Sequence, residues 1–514
     1  MRASNHLIEV SAMSSKLIRL HANDNVAVAL TDLPVGATVS FGDGLSLALR
    51  DAVPFGHKVA LSAIAPGETV VKYGEPIGRA TQAVTPGDHV HIHNLASTRA
   101  QLDNFCRNSS QPCASVSRQR PSGLATFLPA SSSVHAYSRP DGRAGVRNHL
   151  LLLPSVFCAN VAAQRIAEAV PGAIALPHPY GCAQFDVARV SDTLTGIGAH
   201  ANVGATIVVG LGCEIVQADE LAARISAAGK TVEVLNIQRE GGTLRTIARG
   251  RELVHKLAGH LATQRRQPVS LDKLVLATEC GGSDATSGLA ANPVVGAVAD
   301  RVVAAGGTAI LSETTELMGA EHILARRAAN AQVGRRIFEI VAAVEQEALR
   351  LGADLRGKQP TPGNVAGGLT TIEEKSLGCI YKAGSSPVQG VLAYAERPPG
   401  TGLYVMDTPG HDGESISGMV AGGAQVVLFS TGRGTPLGAP VAPVIKITAN
   451  PRTAQSMADH VDFSAAGVIA GETTVEEAGK SLWAVLLRVL EGQETASEIL
   501  GHREFAITRA GPSV

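Results

Sequence analysis

Apolar and polar positions along this chain follow two rhythms. From residue 16 to about 95 the apolar runs are short and alternating, as in 25-NVAVAL-30, 58-KVALSAI-64 and 69-TVVKYG-74. They are broken by turn residues at 35-VGAT-38, 54-PFG-56, 66-PGE-68 and 86-PGD-88. That spacing predicts a small all-β domain. Residues 96–135 are rich in Ser, Pro and Arg without sustained periodicity and read as a linker. From 136 onward, apolar strands alternate with Ala-rich amphipathic helices. Strand 149–156, helix 159–170, a strand over 173–181, strand 205–212 and helix 215–229 form one series, ending near 268.

A second series runs from 269 to 510. Its strands are 273–278, 308–313, 402–407, 425–430 and 443–448, with a helix opening at Asn292 and a last long helix over 473–492. The fold expected is therefore α/β, a small N-terminal β domain followed by two domains with largely parallel, helix-covered sheets. The Gly/Pro-rich stretch 353–390 reads as a long functional loop.

Composition narrows the function. The 514 residues carry a net charge of −1, so no basic surface argues for nucleic acid or an anionic membrane. No apolar stretch reaches membrane-spanning length, and the first twenty residues lack a secretory apolar core. Seven cysteines without regular spacing suit a reducing, cytoplasmic setting. A C-x-x-C pair and a G-x-G-x-x-G fingerprint are both missing, which leaves structural zinc and nicotinamide chemistry with little support.

The candidate chemistry collects at predicted strand ends, where open α/β sheets bind ligands. The run 280-CGGSDATSGLAANP-293 follows one strand directly. Cys158, Cys182 and Cys213 follow three others, so four thiols are placed alike; such a set can ligate iron or an iron–sulfur cluster, or line one pocket. His89, His91 and His93 alternate in 89-HVHIHN-94 and share a strand face able to bind a divalent metal. His21 and His57 are further candidates. Arg433, between two glycines, can clasp a carboxylate, and Lys446 would need a partner if buried. Glu214, Glu279, Glu313, Glu316 and Asp407 lie near strand ends, where ion-pair or cap roles are the simpler reading.

With these residues assembled, the sequence resembles the altronate/galactarate dehydratase family over nearly its whole length. The resemblance rests on 21-HANDNVAVAL-30, 71-VKYGEPIGRA-80, 89-HVHIHN-94, 142-GRAGVRN-148, 210-GLGCE-214, 280-CGGSDATSGLAANP-293, 361-TPGNVAGGLTTIEEKSLG-378 and 431-TGRGTP-436. HVHIHN, 279-ECGGSD-284 and 375-KSLGCIYKAGSS-386 look most like the altronate-acting members.

The resemblance implies an N-terminal SAF-type (β-clip) domain and a hydro-lyase that dehydrates a sugar acid, D-altronate giving 2-dehydro-3-deoxy-D-gluconate and water. It implies Fe(II), with Mn(II) as substitute, while the placement of the thiols leaves an iron–sulfur cluster as the alternative. Placement suggests the roles: some of Cys158, Cys182, Cys213 and Cys280 bind or surround one iron centre. Ser283, Asp284, Asn292, Lys375, Arg433 and Lys446 hold the substrate, and His21, His57 or His178 moves the proton. The partner expected is a small sugar acid, and a homo-oligomer is allowed; nucleic acid and membrane are not expected. Galactarate or another sugar acid, a sulfolactate sulfo-lyase reaction and an inactive sugar-acid-binding protein stand as rival readings.

Overall fold

The computed structural model describes residues 16–41, 45–99, 133–183, 185–353, 355 and 359–509. Most of the expected linker lies outside them. Its two described ends are ordered elements, since Leu95–Ala96 and Ser133–Ser138 are both strands.

The N-terminal domain is built from short antiparallel strands. Leu17–Ile18, Val26–Ala29, Lys58–Ala60 and His89–Val90 form one sheet in that order. Thr69–Lys72, Glu75–Ala80 and Leu95–Ala96 form a second, and Thr38–Phe41 pairs with Leu45–Ala48. The strands stay short because Pro-Gly turns interrupt them. Gly56 illustrates the cause: its φ of +82° belongs to the left-handed region that side chains resist, and a Cβ there would press on Ala285 and Gly367.

In the second domain, Ile174–Ala175, His149–Pro154, Val203–Gly210 and Thr231–Asn236 pair in parallel, in that spatial order. Helices Asn160–Ala167, Val187–Gly198, Ala218–Ala227 and Thr243–Thr263 cover them. Both faces are buried, which is why these strands read as continuous apolar runs. The expected strand over 173–181 shrinks to two residues, because Pro177 and Pro179 have no N–H to give a ladder.

The C-terminal domain holds a seven-stranded, wholly parallel sheet. Its order is Val388–Leu392, Gly402–Met406, Thr308–Leu311, Val275–Gly281, Val426–Thr431, Val444–Thr448, Phe463–Ser464. The chain fills one side of Val275–Gly281, with Gly402–Met406 inserting between Thr308–Leu311 and the edge strand Val388–Leu392, and then crosses to build outward on the other. The gap between Val275–Gly281 and Val426–Thr431 is thus a topological switch point, the place where such sheets open a ligand crevice. The stretch 353–390 is not a plain loop. It contains helices Pro362–Ala366 and Ile372–Cys379, each started by a threonine cap, Thr361 and Thr371.

The N-terminal domain docks on this sheet edge through buried charge. Glu374 accepts from Lys72 Nζ at 2.7 Å and Lys58 Nζ at 2.9 Å, and all three side chains are fully buried. Arg99 adds ion pairs to Glu321 and Glu345. No helix among the described residues is long and apolar enough to cross a membrane.

Candidate active site at the domain interface

Strand Val275–Gly281 ends in a buried nest of charge. The Cys280 N–H donates to Glu313 Oε2 at 2.9 Å, and its Sγ lies 2.8 Å from Lys382 Nζ, 3.3 Å from Glu316 and 3.8 Å from Cys379 Sγ. Lys382 also bonds Glu313, and Lys375 pairs with Glu316 at 2.8 Å. Glu279 takes hydroxyl bonds from Ser312 and Ser415 on one oxygen, while its other oxygen is buried without a partner. Burial and the neighbouring Glu313 push Glu279 well above the usual carboxylate range. Burial likewise lifts Glu313 to about 7 and Asp412 to about 6. Glu313 sits at φ +65°, unusual for a side-chain-bearing residue, and its N–H is held by Thr408 Oγ1 at 2.8 Å.

Four residues further on, the same turn opens into a cavity of about 240 Å³ between the N- and C-terminal domains. Asp284, Arg433, Asn450, Arg452 and Gly56 are among its walls. Asp284 and Arg433 come from the turns on either side of the switch point. Asp284 Oδ1 accepts from Thr286 N at 2.8 Å, Thr286 Oγ1 at 2.6 Å and Ser287 N at 3.2 Å, and Oδ2 accepts only from Asn450 Nδ2 at 2.8 Å. Burial raises the Asp284 pKa against those bonds. Arg433 bonds the Gly363 carbonyl at 3.3 Å and makes no ion pair among the described residues, whereas Arg452 is paired with Asp32 at 2.6 Å.

Beside Gly56 stand three imidazoles. His57 Nδ1 lies 3.0 Å from His89 Nε2, and the His91 ring centroid is 4.6 Å from that of His57. The three residues offer ring nitrogens within 4.8 Å of one another. Asn94 shapes this turn, accepting from the His91 N–H and donating to the His89 carbonyl, both at 2.9 Å. Burial lowers the His57 pKa, and brings His89 to about 4 and His91 to about 3. Neutral rings keep a lone pair for a metal. His91 Nδ1 is buried without a partner, and the outer nitrogen of His57 meets the Ala366 carbonyl at 3.4 Å, the second contact that orients a ligating histidine. The donor set fits Fe(II) or Mn(II).

The structure separates several sequence candidates. Ser283 and Asp284 reach the interface, and the Ser283 hydroxyl is buried without a partner. Lys375 and Cys280 belong to the charged nest. Asn292 ties Ser430 to the Gly378 carbonyl and is a packing residue. Lys446 bonds the Leu437 carbonyl and Ser497, away from the cavity. His178 is buried between the Pro154 carbonyl and the Tyr180 N–H, with both nitrogens used. His21 is exposed and closes its own turn through Asn23 and Asp24. The expected single centre of four thiols is not present. Cys158, Cys182 and Cys213 are exposed on the second domain, while Cys280 is buried in the third against Cys379. Lys382, Cys379, Asp412, Asn450 and Arg452 were not singled out from sequence. Lys375, Cys379 and Lys382 stand at i, i+4 and i+7, a spacing that puts three reactive groups on one helix face.

Three family models match the chain in succession. They are the altronate/galactarate dehydratase SAF domain over 15–98, the second domain of D-galactarate dehydratase/altronate hydrolase over 136–262, and the C-terminal domain of D-galactarate/altronate dehydratase over 271–513. The chain is 36% identical to altronate dehydratase of Escherichia coli (strain K12) over 513 residues, covering 96% of this chain and 99% of that protein. It is 33% identical to the Bacillus subtilis (strain 168) altronate dehydratase over 512 residues, with the same coverage. It is also 41% identical to the (2R)-sulfolactate sulfo-lyase subunit beta of Chromohalobacter salexigens over 379 residues, 73% of this chain and 96% of that one. With its N-terminal β domain of SAF type and its two α/β domains, the chain belongs to the altronate/galactarate dehydratase family, and most resembles the altronate dehydratases within it.

Proposed function

We propose that this chain is a cytoplasmic, metal-assisted hydro-lyase that converts D-altronate to 2-dehydro-3-deoxy-D-gluconate and water in the cavity between its N- and C-terminal domains. The observation that carries the reading is the clustering of His57, His89 and His91 behind Gly56 and Ala366, two residues that wall the cavity holding Asp284 and Arg433. His57, His89 and His91 would hold Fe(II) or Mn(II), which as a Lewis acid acidifies the proton next to a bound carboxylate.

The remaining work falls to side chains. Arg433, uncommitted to any carboxylate among the described residues, takes the substrate carboxylate. Asp284 takes the C2 proton on Oδ2, the oxygen with a single hydrogen bond, while three bonds on Oδ1 fix its aim. Its raised pKa makes it a stronger base than a solvated carboxylate. Once protonated, the same carboxyl returns that proton to the departing C3 hydroxyl, which leaves as water. The enol then becomes the 2-keto acid without further help.

Elimination of sulfite from sulfolactate is a second reading, favoured by the 41% identity to the sulfo-lyase beta subunit. An anaerobic screen of hexonates, hexarates and sulfolactate with added Fe(II) distinguishes them. The account expects 2-keto product from altronate without sulfite. Turnover confined to sulfolactate, or none with any hydroxy acid, would overturn it.

A further inference from the structure

Three thiols remain outside the functional reading. Cys158, Cys182 and Cys213 follow Pro154, Ala175 and Gly210, the last residues of three neighbouring parallel strands. Their loops are fastened to one another. The Phe157 N–H donates to the Tyr180 carbonyl at 2.9 Å, and the Ile215 and Val216 N–H groups donate to the Gly181 carbonyl at 3.0 and 3.2 Å. Gly181, at φ +105°, presses so closely on Ser155 that a Cβ would collide with its carbonyl. Glu214 fixes the third loop from beneath, accepting from Ser155 Oγ at 2.8 Å and Leu211 N at 3.2 Å. The three cysteine-bearing loops are therefore held together by their own backbones.

All three thiols are exposed and free of disulfides. They are not among the sets of ligand atoms within 4.8 Å of one another, so they do not converge as a single ion requires. His178, at the base, has both nitrogens engaged, and Glu214 is turned inward, so neither completes a closed four-ligand zinc site. Phe157, Val161, Phe185 and Ile215, within three residues of the cysteines in sequence, are exposed apolar side chains. Each loop also leads into a helix N-terminus, where peptide dipoles favour an anionic group.

We propose that Cys158, Cys182 and Cys213 hold a [4Fe–4S] cluster through three of its irons. The fourth iron has no thiolate among the described residues and is open to water or a hydroxy-carboxylate. The site is independent of the His57–His89–His91 centre, and acid-labile sulfide tells the two apart. The test is anaerobic purification of the full chain, with iron, sulfide and visible absorption measured for wild type and for C158S, C182S, C213S, C280S and H89A. Circular dichroism serves as the folding check for each. Sulfide and the broad visible band should be present in wild type, C280S and H89A and lost in the three other cysteine variants. Iron without sulfide, no iron at all, or sulfide that survives in folded C182S and C213S would each overturn the cluster.

Discussion

Glu374 is where the interface can be broken with least ambiguity. It accepts from Lys58, Lys72, Thr370 N at 2.9 Å and Thr370 Oγ1 at 2.6 Å, with no exposure to water. Burial opposes its charge, but the two ammonium groups outweigh burial and hold Glu374 well below the carboxylate range. In E374Q both lysines stay buried and lose their counter-charge. Breaking a buried ion pair from one side costs about 3–5 kcal/mol. Lys58 adds to this, since burial already brings its pKa down to about 8 with Glu374 present. Replacing the whole triad by apolar groups, as in K58M/K72M/E374L, should return most of that loss, because apolar packing commonly substitutes for a buried ion network. Denaturant unfolding gives the stabilities, and hydrogen exchange in Lys58–Ala60 and Thr69–Lys72 reports docking. The Glu374 contribution is present above its unfolded pKa and disappears as pH falls through the lower folded value. An E374Q protein within about 1 kcal/mol of wild type, or a triple variant no better than E374Q, would refute the reasoning.

Other substitutions read out the chemistry. D284N should lower kcat by about 10²–10⁴, the range for a lost acid–base group, with the fold intact by circular dichroism. R433K should raise KM for the sugar acid by roughly tenfold with a smaller effect on kcat, because an ammonium cannot clasp a carboxylate with two parallel bonds; an unchanged KM would move the carboxylate site elsewhere. Burial lowers the Lys446 pKa to about 8, so the folded chain releases this proton before the unfolded chain does. The stability this gives is complete above about pH 10.4 and is lost as pH falls through about 8. Thermal unfolding of wild type should therefore gain on K446M between pH 8 and 10, while at pH 7 K446M is as stable or more so.

Much of the frame was legible because the physics is local. The strand 273–278 is found as Val275–Gly281, and 425–430 as Val426–Thr431, since buried parallel strands must be continuous apolar runs. The helix expected from Asn292 is Asn292–Ala304, with Pro293 in its first turn. Asp284 and Arg433 were legible for the same reason, as polar residues just past strand ends. Long-range partners were not. Nothing near Lys446 in sequence announces the Leu437 carbonyl that satisfies it, and His178 looked free until Pro154 and Tyr180 closed on it. The four thiols share a place in the βα rhythm, which is what groups them in the sequence. Two separate sheets carry that rhythm, so Cys280 is parted from the other three. The histidines show the reverse: His57 is remote in sequence from His89 and His91, and only strand pairing between Lys58–Ala60 and His89–Val90 brings them together.

The sharpest test is a crystal of the Fe(II)-loaded D284N enzyme with altronate, with anomalous scattering recorded at the iron edge. The account predicts an iron peak among His57, His89 and His91, with the sugar-acid carboxylate on Arg433 and its C2 carbon facing residue 284. An empty histidine site, with altronate bound anywhere but this cavity, would contradict it.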